Sequence, residues 1–277
     1  MKPVTPIHVI ELFPPLSHEL ITALKALQPL DWERPTICAP WRVKDVAAHL
    51  LGGNFGRLWN RVDASAQPDT PYGDYEHLLN LINDENDLWI QAAQRISPEI
   101  LIELLELTDR RLYEYFNGLD PYALAHITVA WAGDSLPPNW FDIAREYTEK
   151  WLHQQHIREA VHIPLLTGHA WLAPVLDTFM RGLPRTFRNM HAMNGTSIAV
   201  QITGEAGGEW SLVRDGDAWN LYSGSAPEAI SRVQVEQDLA WRLFTKGVGR
   251  EEARSQVQIE GNQRVGEKVL ELVSIMA

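Results

Sequence analysis

The sequence predicts a helical bundle followed by a smaller α+β half, and three observations carry that reading. Up to about residue 165 apolar residues recur at helical spacing. From Ser197 onward they alternate with polar ones, as in strands. Between the two halves, Pro164 and Gly168 interrupt the longest helical pattern. At 277 residues the chain is long enough for two domains. The boundary is placed at 162–168, giving a helical domain over 1–165 and an α+β domain over 166–277.

In the first half, Ser17 is expected to cap a helix whose Leu20, Leu24 and Leu27 share one face, with Pro29 stopping it. A second helix is expected from Val43 into the Val62 region, and a Pro/Asp/Gly-rich loop from Gln67 to Asp74. A third starts near Tyr75 and continues past Trp89. Ser97-Pro98-Glu99 opens a fourth, reaching about Phe116, with a capping hydroxyl, a first-turn proline and an acid near the positive helix end. After Pro137-Pro138, Asn139 is expected to cap a long fifth helix to about Val161, with Asp142 in its first turn. Long helices joined by moderate loops suggest a bundle with sites on facing helices.

In the second half, a helix is expected around Trp171 to Met193 and a strand over Ser197–Ile202. Glu209–Arg214 and Trp219–Tyr222 read as neighbouring strands around the turn Asp215-Gly216-Asp217. Short strands at Arg232–Val235 and Gln256–Ile259 each precede a helix, at Asp238–Thr245 and Gln263–Ile275.

Composition excludes several function classes. Hydrophobic residues make up 45% and charged residues 22%, an ordinary globular mixture with a real core. The formal charge of -12, with Lys and Arg scattered, argues against a nucleic-acid partner and an anionic membrane surface. The single cysteine, Cys38, forbids an intramolecular disulfide and points to a reducing compartment, so a cytoplasmic protein is expected. Met1 to Pro6 lacks the apolar stretch of a signal peptide, and no apolar run is long enough to span a bilayer.

The chemistry gathers on two helices. His49 sits beside Val46 and Leu50 on the inward face of the second helix, where a lone histidine reads more readily as a core residue than as a ligand. Gly52, Gly53 and Gly56 follow, which weakens the helix and suggests close packing or access to a pocket. On the fifth helix Glu146, Glu149, His153 and His156 share one stripe. Glu149 and His153, one turn apart, can point an oxygen and a nitrogen at a common ion. A solvated surface face is the bland alternative, but Trp140, Ile143, Tyr147 and Trp151 flank the stripe and fit an enclosed helix. Spacing leaves the choice among Glu149, His153 and His156 open.

The segments Trp41-x-x-x-Asp45-Val46-Ala47-Ala48-His49-Leu50 and Glu146 to Ala160 resemble the two signatures of the mycothiol-dependent maleylpyruvate isomerase family. The resemblance spans nearly the whole chain. It implies a DinB-like four-helix bundle followed by a small α+β domain likened to sterol carrier protein folds. It further implies a two-histidine, one-carboxylate metal site, carried onto His49, Glu149 and His153. Zinc is the expected ion, and nickel, iron or manganese suit the same ligands. The position of His156 is commonly Asp in that family, which makes His156 either a neighbour of the ligands or an added one. Three protein ligands leave positions open for a thiol or substrate. By resemblance the cosubstrate is a low-molecular-weight thiol such as mycothiol, which adds to an activated double bond or displaces a leaving group.

The family also uses an arginine of the C-terminal domain. Arg242 is the candidate for binding a substrate carboxylate, with Arg250 and Arg254 as alternatives, and each of the three also reads as a surface arginine on an amphipathic helix. Cys38 reads as an inert or partly buried thiol, with Arg34 and Arg42 nearby. His126, His162 and His169 lack a partner at ligand spacing. The 11 tryptophans are expected in the core and the inter-domain seam, with Trp89 or Trp131 able to line a pocket. Two other function classes stay open: a metal-dependent hydrolase with Glu146 as base, and a non-enzymatic metal- or small-molecule-binding module.

Overall fold

Helix α1 spans Phe13–Ala26, α2 Val43–Trp59, α3 Tyr75–Ala93, α4 Pro98–Asn117 and α5 Asn139–Ala160. The computed structural model describes residues 1–59, 75–126, 130–133 and 135–274. The expected extension of α2 to Val62 and the loop from Gln67 to Asp74 lie outside these residues.

Local chemistry sets most of the helix starts. At α4 the Ser97 side chain accepts from the Ile100 amide and Pro98 occupies the first turn. At α2, Asp45 reaches back to the Arg42 amide at 2.9 Å, the reciprocal half of a capping box. Two expected caps are corrected. Helix α1 begins four residues before Ser17, because Pro14 and Pro15 supply a first turn that needs no amide donors. The Ser17 hydroxyl instead donates to Asp109 Oδ2 at 2.6 Å. Asn139 is the first residue of α5, and the Pro138 carbonyl accepts the first helical amide bonds.

One compact unit comprises His8–Ala123 and Glu146–Leu165. Its core joins Leu20 and Leu24 of α1, Val46 and Leu50 of α2, Leu101 and Leu105 of α4 and Ile157 of α5. Tyr147, Trp151 and Ile157 are fully buried, and so are the polar Gln154 and Gln155. A helix enclosed on nearly all sides is what a bundle's central helix requires.

The other unit comprises Met1–Ile7, Leu124–Arg145 and the chain from Leu166 on, so the division falls within α5. Helix α6 spans His169–Met180 and α7 Leu183–Phe187. The single helix expected from Trp171 to Met193 is therefore broken. A side chain at Gly182 would lie within 3.1 Å of Leu272 and Trp131, and Pro184 restarts the helix without an amide donor. The strands are β1 (Lys2–Pro3), β2 (Ser197–Thr203), β3 (Gly208–Asp215), β4 (Ala218–Ser223), β5 (Ser231–Glu236) and β6 (Gln258–Gly261). They form one six-stranded sheet in the order β1-β4-β3-β2-β5-β6, and among the described residues only the β2–β5 pair is parallel.

Register places Val200 opposite both Trp210 and Val233, all buried. Gln201 and Gln234 alternate outward and are exposed, so one sheet face is apolar and the other polar. Helices α6 and α8 (Gln237–Phe244) pack on the sheet. The expected β3–β4 turn is present, with Gly216 at φ 55°, a left-handed conformation suited to a two-residue hairpin. Short helices α9 (Arg250–Arg254) and α10 (Gln263–Glu267) complete the unit. The helix expected to run to Ile275 instead tightens into a 3-10 turn at Lys268–Glu271 and turns extended at Leu272. Ser274 is then tied by its amide to the Phe244 carbonyl, while Ile275 lies outside the described residues. Among the described residues no helix is long and apolar enough to cross a membrane.

Candidate metal centre

Helices α2 and α5 bring His49, Glu149 and His153 together within the helical unit. Glu149 Oε1 lies 3.2 Å from His49 Nε2 and 3.1 Å from His153 Nε2. The two imidazole rings sit 4.6 Å apart, edge to face. One donor atom from each of the three residues lies within 4.8 Å of the others. Ligand bonds of 2.0–2.2 Å arranged tetrahedrally separate an oxygen and a nitrogen by about 3.4 Å. The observed separations are slightly shorter, so a small outward shift admits a cation, and the donor set fits a borderline divalent ion.

The three side chains are partly exposed. The Glu149 side chain is 32% exposed, against 14% for His49 and 12% for His153, so the carboxylate marks the accessible side. Trp41 covers His49, with ring centroids 4.9 Å apart. Burial pushes the Glu149 carboxyl up, but the imidazoles of His153 and His49 outweigh it and hold its pKa well below the usual range. The carboxylate is therefore ionised, as a ligand must be. Burial lowers the His153 pKa; Glu149 opposes that and His49 adds to it, so the imidazole favours its neutral, lone-pair-bearing form.

The rest of the acid/histidine stripe is divided among other partners. Glu146 is buried and forms an ion pair with Arg57 at 2.9 Å, far from the role of a free base. His156 is buried, with its Nδ1 3.0 Å from Cys38 Sγ and its ring 5.3 Å from that of His153. Burial, and then the Glu149 charge, push the Cys38 thiol up to about 11 despite a hydrogen bond from Thr36. The solvated-face reading of the stripe is thus set aside.

The sequence matches the mycothiol maleylpyruvate isomerase N-terminal domain over residues 13–158. The chain belongs to this family. All three residues of the pocket lie inside the matched span. Two crystal structures of mycothiol-dependent maleylpyruvate isomerase share the family fold across both halves. One, a histidine-to-alanine variant, overlays at a TM-score of 0.54 with 11% identity, covering 91% of each chain. The other overlays at 0.50 with 12% identity, covering 84% of this chain and 86% of that one. A comparison with curated proteins finds no match.

The arginines named from the sequence lie in the sheet-containing unit. Arg242, in α8, pairs with Asp238 at 3.1 Å and lies over the Trp241 ring. Arg250 pairs with Glu271 and Arg254 with Glu267. Sequence reasoning missed the Cys38–His156 contact and a buried polar cluster in the helical unit. In that cluster Lys150 bonds Asn54 Oδ1 and Asp109 Oδ1, Asn54 donates to Asp109 and Thr108, and Ser17 closes it. The available signal was Lys150 inside an otherwise enclosed helix, since a buried ammonium requires a carboxylate partner.

Proposed function

We propose that this chain is a metal-dependent enzyme of the maleylpyruvate isomerase type. In this reading a low-molecular-weight thiol such as mycothiol adds to a small electrophilic alkene. The observation that carries the reading is Glu149 set between His49 and His153, partly exposed and inside the family-matched span. Those three residues would hold the ion, zinc being the expected occupant. A divalent cation there supplies Lewis acidity and lowers the pKa of a thiol or water beside it.

The chain's own groups account for the rest. His49 packs against the Trp41 ring, and the Nε2 atoms of His49 and His153 both lie within 3.2 Å of Glu149 Oε1, so the two imidazoles are directed at one carboxylate. Glu149 keeps its negative charge at neutral pH and faces the opening. For maleylpyruvate the covalent balance is simple. The thiolate forms a carbon–sulfur bond as the π bond breaks and its electron pair passes to the conjugated carbonyl as an enolate. Rotation follows about the new single bond, and collapse of the enolate expels the same thiolate and restores the double bond in trans. No oxidant or reductant is consumed. Arg242 is carried as the candidate for the substrate carboxylate, because a guanidinium pairs with it through two parallel bonds.

The hydrolase alternative loses its base to the Arg57–Glu146 pair. The test is turnover of maleylpyruvate with and without mycothiol, beside metal analysis of the wild type and a His49→Ala, His153→Ala double variant. Thiol-dependent turnover and loss of metal in the variant are expected. Equal metal content in both proteins, or turnover that ignores the thiol, would overturn the reading.

A further inference from the structure

The pocket carries a second group of metal-ligating side chains that the His49–Glu149–His153 set does not use. Cys38 approaches α5 from the segment before α2, and His156 lies three residues beyond His153 on the same helix. One donor atom each from Cys38, His153 and His156 lies within 4.8 Å of the other two. Cys38 Sγ and His156 Nδ1 are 3.0 Å apart. Bonds of 2.3 Å to sulfur and 2.0–2.1 Å to nitrogen, set tetrahedrally, separate those atoms by about 3.6 Å. An opening of roughly half an ångström therefore converts a hydrogen-bonded contact into a chelate. Independently, His153 Nδ1 is buried and has no hydrogen-bond partner among the described residues. An imidazole with its other nitrogen on Glu149 is thus left with unassigned capacity.

We propose that Cys38, His153 and His156 form a second ligand set for a thiophilic divalent cation, sharing His153 with the first. The inference rests on reading the pocket as a metal centre, but adds a sulfur-ligated position to it. The two sets differ in kind. Nitrogen and oxygen donors in the first suit manganese, iron or nickel as well as zinc, whereas sulfur and two nitrogens in the second favour zinc, cadmium or cobalt over manganese. The nature of the ion then selects the position it takes. On binding, a sulfur–metal bond replaces the Cys38 S–H bond and the proton leaves to solvent; no electron is transferred.

The probe is cobalt(II) added to the metal-free full chain, read by absorption. Wild type is expected to show visible ligand-field bands together with a near-ultraviolet sulfur-to-cobalt charge-transfer band. Cys38→Ser, close to isosteric and so expected to fold, should lose the charge-transfer band while still binding cobalt through the first set. His49→Ala should keep it. His156→Ala, or the milder His156→Asn, should weaken the sulfur-ligated form about tenfold or more. Cobalt bound by wild type without a charge-transfer band overturns this inference and leaves the first set standing. A band unchanged in both His156 variants also overturns it. Cobalt binding that disappears completely in Cys38→Ser supports the sulfur set and overturns the first one.

Discussion

The Lys150 ammonium lies 2.9 Å from the Asp109 carboxylate, in the helical unit and one residue along α5 from Glu149. Neighbouring residues of one helix thus serve two purposes: Glu149 turns toward His49, while Lys150 anchors α5 to α2 and α4. Asn54 and Ser17 extend the anchor to α2 and α1. Removing one partner strands a buried charge, which costs about 3–5 kcal/mol. Asp109→Ala is expected to lose that much in urea unfolding. A loss below 1 kcal/mol would show that the cluster does not hold the bundle.

The same carboxylate sets an acid limb to stability. Burial pushes Asp109 up, yet Lys150, Ser17 and Asn54 outweigh it and hold its pKa below the usual carboxylate value. A depressed folded pKa contributes stability that is complete above the unfolded value of about 3.9 and disappears as pH falls through the folded one. Urea midpoints measured from neutral pH down to the acid range should therefore fall more steeply in wild type than in Asp109→Asn. Parallel curves would assign the acid sensitivity to other carboxylates.

Glu149→Gln removes the charge that opposes burial at His153. In the metal-free protein the His153 pKa should fall further, which an NMR titration of the imidazole protons reads directly. The same substitution should ease the rise of the Cys38 thiol, to which Glu149 contributes after burial. Zinc affinity, measured by competition with a chelating dye, should drop by at least about tenfold to a hundredfold, since losses of even supporting groups are of that size. Unchanged zinc affinity would remove Glu149 from the ligand set.

Much of this was legible in the sequence where the signal is local. Ser97-Pro98 gave the start of α4, alternation after Ser197 gave the central strands, and the stripe from Glu146 to His156 marked the site-bearing helix. The pairing of His49 with that stripe came from resemblance, because 100 residues separate His49 from Glu149 and no periodicity links them. The Ser17–Asn54–Asp109–Lys150 cluster was illegible for the same reason, being assembled from four helices. Strand β1 has two residues and α9 five, too few for any period to register. A hydroxyl before an apolar run has two uses, cap or buried hydrogen-bond donor, so Pro14-Pro15 is the better marker of the start of α1 than Ser17.

The glycines of α2 divide by their surroundings. A Cβ at Gly52 would stand 2.6 Å from the Trp89 ring, whose Nε1 donates to the Ala48 carbonyl at 2.7 Å. At Gly53 nothing lies within 4 Å. Alanine gains about 1 kcal/mol over glycine in a helix, whereas overpacking costs about 1–3 kcal/mol. Gly52→Ala is thus expected to destabilise and Gly53→Ala to stabilise, with opposite shifts in thermal midpoint. Two stabilising shifts would mean that Trp89 moves aside freely.

The end of α5 offers a substitution that should strengthen the fold. The Ile163 amide bonds the Arg158 carbonyl at 3.0 Å and the His162 amide bonds the Glu159 carbonyl at 3.2 Å, the two bonds of a Schellman motif. His162 occupies the residue between them at φ 57°, a left-handed conformation normally given to glycine. Its side chain is exposed, so little packing offsets the strain. An L-residue there costs about 1–2 kcal/mol, and the greater freedom of unfolded glycine takes back about 0.5–1 kcal/mol. His162→Gly should therefore stabilise by about 0.5–1 kcal/mol, a rise of a few degrees in thermal midpoint. His162→Ala keeps the strain and should leave the midpoint near that of wild type. If glycine lowered the midpoint instead, the imidazole would have to supply a contact worth more than the strain it tolerates.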